Sequence, residues 1–234
     1  MAAMRARPPA LVRVRQAAPA LLLVAPVIAA TGLDLRIHGG STVISHVPDS
    51  GVAPPPPVVE SIGAGVGIWQ EPLGAAFFLA WTADLTLYGT YYEWWAPEGR
   101  PRPTELETVA WMWVLGGLLG SDFAIGWAIS EVLALSLAAG LDLDLRAPLV
   151  VGAAAGSDDA ANGSAYFYGA ARFLLPRNEV RLEWQAATNL AVSAAFRIYY
   201  PLFHAWDGEG RPFADQLMLA GLVGVTIPLG AARL

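Results

Sequence analysis

The stretch "RLEWQAATNLAVSAAFR", residues 181–197, decides the fold. It mixes two arginines, a glutamate, a glutamine and an asparagine with tryptophan, leucine, valine and phenylalanine. At 100° per residue the two populations stay mixed, with Leu182 and Leu190 falling among the polar side chains. At a period of two they separate. Leu182, Trp184, Ala186, Thr188, Leu190, Val192, Ala194 and Phe196 take one face, and Arg181, Glu183, Gln185, Ala187, Asn189, Ala191, Ser193, Ala195 and Arg197 take the other. The stretch therefore reads as one strand of seventeen residues, about three times the usual length. A tilted strand that crosses a bilayer and runs on into an outer hairpin would account for that.

Composition agrees with a membrane. The chain has 234 residues, of which 55% are hydrophobic and only 15% charged, against roughly 25% charged in soluble proteins. It contains no cysteine and no lysine, which excludes a disulfide framework and a cysteine metal site. A net charge of −6, with no basic run beyond the extreme N-terminus, argues against nucleic acid as a partner.

The N-terminus has the layout of a secretory signal. Arg5, Arg7, Arg13 and Arg15 precede "AAPALLLVAPVIAA", an apolar run that ends in small residues. Residues 1–30 are expected to be the signal, with cleavage near Ala29 or Ala30, and residues 31–234 the mature domain. An uncleaved anchor over 16–33 is the alternative, and Pro19 and Pro26 weigh against it.

Only helices and closed barrels satisfy every backbone polar group inside lipid. After the signal the longest charge-free run is 216–232, so a polytopic helical inner-membrane protein would have to place Asp84, Glu131 and Arg172 in or near its spans. A barrel strand needs only 9–11 residues per crossing. Alternation recurs in "LDLRIH" (33–38), "IGAGVGIW" (62–69), "FFLAWTADLTL" (77–87), "FAIGWAI" (123–129), "LALSLAAGLDLDLR" (133–146), "AYFYGAARF" (165–173) and "LMLAGLVGVTIPL" (217–229). With the opening stretch that makes eight. The expected fold is all-β: an eight-stranded antiparallel up-and-down transmembrane β-barrel.

Connection lengths alternate too. Short turns are expected at "QEPLG", "AISEV" and "LLPRNEV", and long loops at 47–57, from 96 onward, around 156–164 and at 203–213. Short turns on one rim place the N-terminus on the periplasmic side. Aromatic girdles are expected near the short turns (Trp69, Trp127, Phe173, Trp184) and near the long loops (Tyr91, Trp94, Trp95, Tyr200). Residues 104–116 admit two readings. Thr104 and Glu107 form a capping box for a short helix in the second long loop, while Val109, Trp111, Trp113 and Leu115 could extend the fourth strand outward.

With these features the chain resembles the small outer-membrane barrels of diderm bacteria, the OmpA-transmembrane, OmpX and OmpW types, over residues 31 to 231. The resemblance implies either passage of small apolar molecules, as in the OmpW type, or surface protection and adhesion, as in the OmpX type. Such chains usually finish on an aromatic residue, and this one ends "IPLGAARL". The implied partners are outer-membrane lipid and lipopolysaccharide or an equivalent, and a small apolar ligand in the passage reading.

The inward charges read from parity are Asp34, Arg36, Asp84, Asp122, Asp142, Asp144, Arg146, Arg172, Arg181, Glu183 and Arg197. An eight-stranded interior barely holds its own side chains, so these should pair into a lumen network. Tyr88, Tyr92, Tyr166, Tyr168 and Tyr199 are the candidates to line a ligand pocket near the loops. No enzyme, cofactor or metal is expected. Ser45 and His46 face opposite sides of any strand, and His204 with Asp207 and Glu209 lies in a loop ill suited to holding ligands.

Overall fold

The computed structural model describes residues 32–47, 56–70, 77–95, 99–105, 111–150 and 159–229. The expected signal, 1–30, lies outside them. The strands are β1 (Gly32–Ile44), β2 (Val58–Gln70), β3 (Phe77–Trp95), β4 (Arg100–Thr104), β5 (Met112–Ser130), β6 (Leu133–Val150), β7 (Leu174–Ala187), β8 (Leu190–Tyr199) and β9 (Met218–Pro228). One helix, α1 (Asp159–Tyr168), stands between β6 and β7. Setting the short β4 aside, each strand pairs antiparallel with the next in sequence, β3 with β5 included, and β1 with β9 closes the ring. The result is a closed eight-stranded up-and-down barrel. β4 is a ninth, accessory strand laid against the outer end of β3.

The register fixes the barrel's width. A row of partners starting at Trp127 and passing through Leu135, Leu182, Ala194, Val223, Gly39, Ile62 and Leu87 returns to β5 at Gly117, ten residues from its start. Eight strands with that stagger tilt by about 40° and enclose a cylinder of radius about 8 Å. Such an interior is filled by side chains alone.

The outer wall is dominated by apolar side chains. Phe123 is 72% exposed and Val223 66%, and Leu33, Ile37, Ile62, Leu85, Leu119, Leu141 and Leu182 are also exposed. A soluble protein does not present a belt of that size to water, so this wall faces lipid. The alternative of a polytopic helical protein is thereby overturned: among the described residues no helix is long and apolar enough to cross a membrane, and α1 has 10 residues.

Two of the segments read as strands from the sequence are corrected. Residues 181–197 are two strands, β7 and β8, joined at Thr188 and Asn189 with a bulge at Gln185 and Ala187. Antiparallel partners such as Trp184 and Val192 have the same parity, so the two-residue rhythm continues through a tight hairpin and hides it. Residues 165–173 contain the end of α1 and a 3₁₀ turn, Gly169–Ala171, with Ala170 and Ala171 at positive φ. One strand too few and one too many cancelled, leaving eight.

The short turns are corrected accordingly. "AISEV" does join β5 to β6, and residues 71–76, joining β2 to β3, lie outside the described residues. "LLPRNEV" instead belongs to β7, and the third short turn is at Thr188. Of the two readings of 104–116, the strand holds from Met112, while 106–110 lie outside the described residues. Among the described residues the α-helix is in the third long loop.

Candidate functional site

The chemistry of the molecule is concentrated inside the cylinder. β7 points Arg177 inward, where its guanidinium reaches three carboxylates on three other strands. It donates to Asp84 Oδ1 at 2.7 Å, to Asp142 Oδ2 at 3.0 Å and to Asp122. From β8, Arg197 donates to Asp84 Oδ2 at 2.8 Å and to Glu179, which also pairs with Arg181 at 2.7 Å. His38 Nε2 lies 2.9 Å from Thr86 Oγ1. A Cβ at position 120 would come within 2.5 Å of Asp142 Oδ1 and 2.6 Å of Arg177 Nη1, so only glycine leaves the hub its space.

Toward the long-loop end a second layer follows. Tyr88 Oη donates to Asp144 Oδ1 at 2.7 Å and accepts from Arg146 Nε at 3.3 Å. Its ring lies so close to the β5 backbone that a Cβ on Gly116 would sit 2.0 Å away. Above it, Phe167 of α1 is buried among Tyr92, Met112 and Val114, edge-on to Tyr92 at 5.0 Å, with the Arg146 guanidinium 5.0 Å from its ring centre. Tyr168 Oη ties α1 down, accepting from the Arg146 N–H and donating to the Arg146 carbonyl, both at 2.9 Å. α1 thus covers the outer mouth.

At the opposite end Trp69, Phe78, Ala80 and Ala134 pack together. Trp69 was expected in a girdle, but it shares the parity of the inward glycines of β2. It is only 2% exposed and donates to Asp34 Oδ1 at 3.1 Å.

The long loops are fastened by one carboxylate. Asp215 accepts from Arg100 at 2.7 Å and from the Val47 N–H at 2.9 Å, and lies 3.2 Å from His46 Nδ1. His204 Nε2 contacts its backbone carbonyl at 3.0 Å, and His204 Nδ1 sits 2.9 Å from Asp207 Oδ2. Burial opposes ionisation of Asp215, but hydrogen bonds from His46, Arg100 and Val47 outweigh it and hold the carboxyl well below the usual carboxylate range. Segments from three loops meet at this clasp.

Of the inward charges expected from parity, ten are buried in the lumen: Asp34, Arg36, Asp84, Asp122, Asp142, Asp144, Arg146, Arg181, Glu183 and Arg197. Arg172 is not among them. It lies in the connection after α1, bonded to Glu209 and to the Tyr166 carbonyl, because its segment is not a strand. Sequence parity missed Arg177 and Glu179, the centre of the hub, since they fell in the supposed turn "LLPRNEV". Carrying the Arg181–Glu183 alternation backward would have found both.

The five tyrosines gather around the outer mouth, and all but the exposed Tyr168 form part of its filling. Tyr88, Tyr92 and Tyr199 are buried, Tyr166 packs on Phe167 and accepts from Gln216, and Tyr168 holds α1. Of the girdle residues, Trp127 and Trp184 are exposed near the short turns. Tyr91, Trp94 and Tyr200 lie at the long-loop end, with Trp94 against Trp111 at 5.0 Å. The Trp95 side chain lies outside the described residues. Phe173 is corrected to the long-loop end, half-buried beside Tyr168.

The chain matches no family model and no curated protein. Its fold is similar to that of neisserial surface protein A, at 11% identity and a TM-score of 0.50, over 84% of this chain and 96% of that one. Also similar are Ail, the attachment invasion locus protein of Yersinia pestis (8% identity, TM-score 0.43, 85% and 99% covered), and the outer membrane enzyme PagL (13%, 0.40, 84% and 99%). The likeness to neisserial surface protein A, with the closed eight-stranded ring, gives the chain the fold of the outer-membrane barrels.

Proposed function

We propose that the protein is a non-conducting barrel of a bacterial outer membrane, with its N-terminus and short turns in the periplasm and its clasped long loops displayed on the cell surface. In role it stands nearer the OmpX type than the OmpW type. The observation that carries this reading is the direct bond between Arg197 and Asp84. Their strands lie opposite each other in the ring, so a hydrogen-bonded ion pair occupies the full width of the lumen. Among the described residues, ion-pair layers and an apolar cluster at each end support a lumen closed to ions.

Among the described residues, the contacts of Ser45 and of the histidines favour a non-enzymatic reading: His204 Nδ1 turns to Asp207 and its Nε2 to the Asp215 carbonyl. Ser45 Oγ donates to the Ala214 carbonyl while His46 turns to Asp215, and His38 is enclosed by the hub. We therefore favour a non-enzymatic surface role, with the loops as the contact surface. Planar-bilayer recording tests it directly: the refolded barrel is expected to stay silent, and discrete channel openings would overturn the reading in favour of a narrow pore. Protease or antibody access to residues 203–213 on intact cells tests the orientation.

A further inference from the structure

The lipid-facing wall carries one anomaly. Among the described residues, the outward positions of the eight barrel strands hold two charges, Glu93 and Glu60. Glu93, at the outer tip of β3, is paired with Arg102. Glu60, on β2, is exposed, and its hydrogen bond is with Ser41 Oγ of β1 at 3.0 Å. No arginine or histidine among the described residues pairs with it. Glu60 stands two residues from the long-loop end of β2, at the level where a cationic lipid headgroup could neutralise it.

Directly beneath it the wall is notched. Ser41 and Glu60 are cross-strand partners, and the next outward pair toward the short-turn end is Gly39 and Ile62. Gly39 leaves a gap in the wall, and an open apolar groove of about 480 Å³ runs from there, bounded by Ile37, Ile62, Val192, Val223 and Val225. Groove and carboxylate thus lie in line along the strands, the polar group on the long-loop side.

We propose that this surface binds one lipid with a protonated primary amine in its headgroup. The ammonium donates to Glu60, beside the Ser41 hydroxyl, and an acyl chain fills the groove over Gly39. An ammonium supplies the charge the carboxylate lacks and several N–H donors in a compact volume. A quaternary choline headgroup supplies the charge but no N–H, so it should bind less well. The proposal needs the barrel to be in a membrane but is independent of whether it conducts.

Native mass spectrometry of the full barrel, released from nanodiscs of equal phosphatidylcholine and phosphatidylethanolamine, tests it. The wild type is expected to retain one phosphatidylethanolamine in preference to phosphatidylcholine, and Glu60→Gln to lower that preference at least about five-fold. Gly39→Leu, whose side chain occupies the groove, should reduce retention of both lipids. The heat-modifiable gel shift checks that each variant is folded. Unchanged selectivity in Glu60→Gln overturns the proposal. So does retention that appears only for an anionic phospholipid in the presence of magnesium, which would mark a cation bridge, or a lipid-free dimer that Gly39→Leu abolishes, which would mark a second copy of the chain as occupant.

Discussion

Asp84 of β3 and Arg197 of β8 stand on opposite walls of the barrel and bond to each other at 2.8 Å, while Arg177 holds the other oxygen of the same carboxylate. Asp84 is therefore a keystone shared by two guanidinium groups. Removing it leaves Arg177 on Asp122 and Asp142 and Arg197 on Glu179, so what is lost is two charge-assisted hydrogen bonds at about 1.5–3 kcal/mol each.

Asp84→Ala is accordingly expected to destabilise the barrel by about 3–6 kcal/mol, read as a lower urea midpoint for loss of the folded gel band. Asp84→Ala combined with Arg197→Ala should cost less than the sum of the two single changes, by at least about 1 kcal/mol. Strict additivity would show that the two residues do not interact across the lumen.

The tryptophans divide by parity between lipid and lumen. In single-tryptophan variants, brominated lipids are expected to quench Trp184 and Trp127 strongly and to leave Trp69 nearly unquenched, because Trp69 is buried against Asp34 inside the ring. Equal quenching of Trp69 and Trp184 would contradict the inward placement of the odd positions of β2.

What the sequence made legible was the period, and what it concealed was the punctuation. Which side chains face lipid and which face the lumen follows from alternation alone, as at Leu182 and Arg181. Turns carried weaker signals. Thr188 and Asn189 close a hairpin without glycine or proline, and matching parity on both sides erased the boundary. Conversely, proline and asparagine in "LLPRNEV" look like a turn, yet Pro176 and Asn178 point outward on β7, where the lumen places no demand on them. The helix beginning at Asp159 was hidden because Phe167 and Phe173 against Tyr166, Tyr168 and Arg172 mimic alternation over a span too short to distinguish periods of two and 3.6. The clasp at Asp215 is a tertiary meeting of three loops, for which no spacing in the chain gives a sign.

That clasp predicts a pH dependence. The folded carboxyl of Asp215 lies well below its unfolded value of about 3.9, so its contribution is fully present above about pH 4 and is lost as pH falls further toward the folded value. Hydrogen exchange of residues 45–47 and 204–216, corrected for intrinsic rates, should stay slow from pH 7 to about pH 4 and accelerate below it. Asp215→Asn should exchange fast across that range, with the acid dependence flattened. A wild-type profile unchanged down to pH 3 would remove Asp215 from the role of fastener.

Phe167 tests which layer seals the lumen. An isolated helix of fewer than about 12 residues is marginal in water, so α1, with 10 residues, depends on docking Phe167 among Tyr92, Met112 and Val114. Phe167→Ala removes that anchor at a local cost of about 3–5 kcal/mol, more than a short helix can lose and stay docked. The amides of α1 should then exchange freely, while the urea midpoint of the barrel shifts by less than about 1 kcal/mol, because the strand ladder and the ion-pair hub are untouched. Bilayers containing this variant should remain silent, since Arg197 and Asp84 still close the cylinder below. Discrete openings in Phe167→Ala, absent from the wild type, would transfer the seal from the ion pair to the helix.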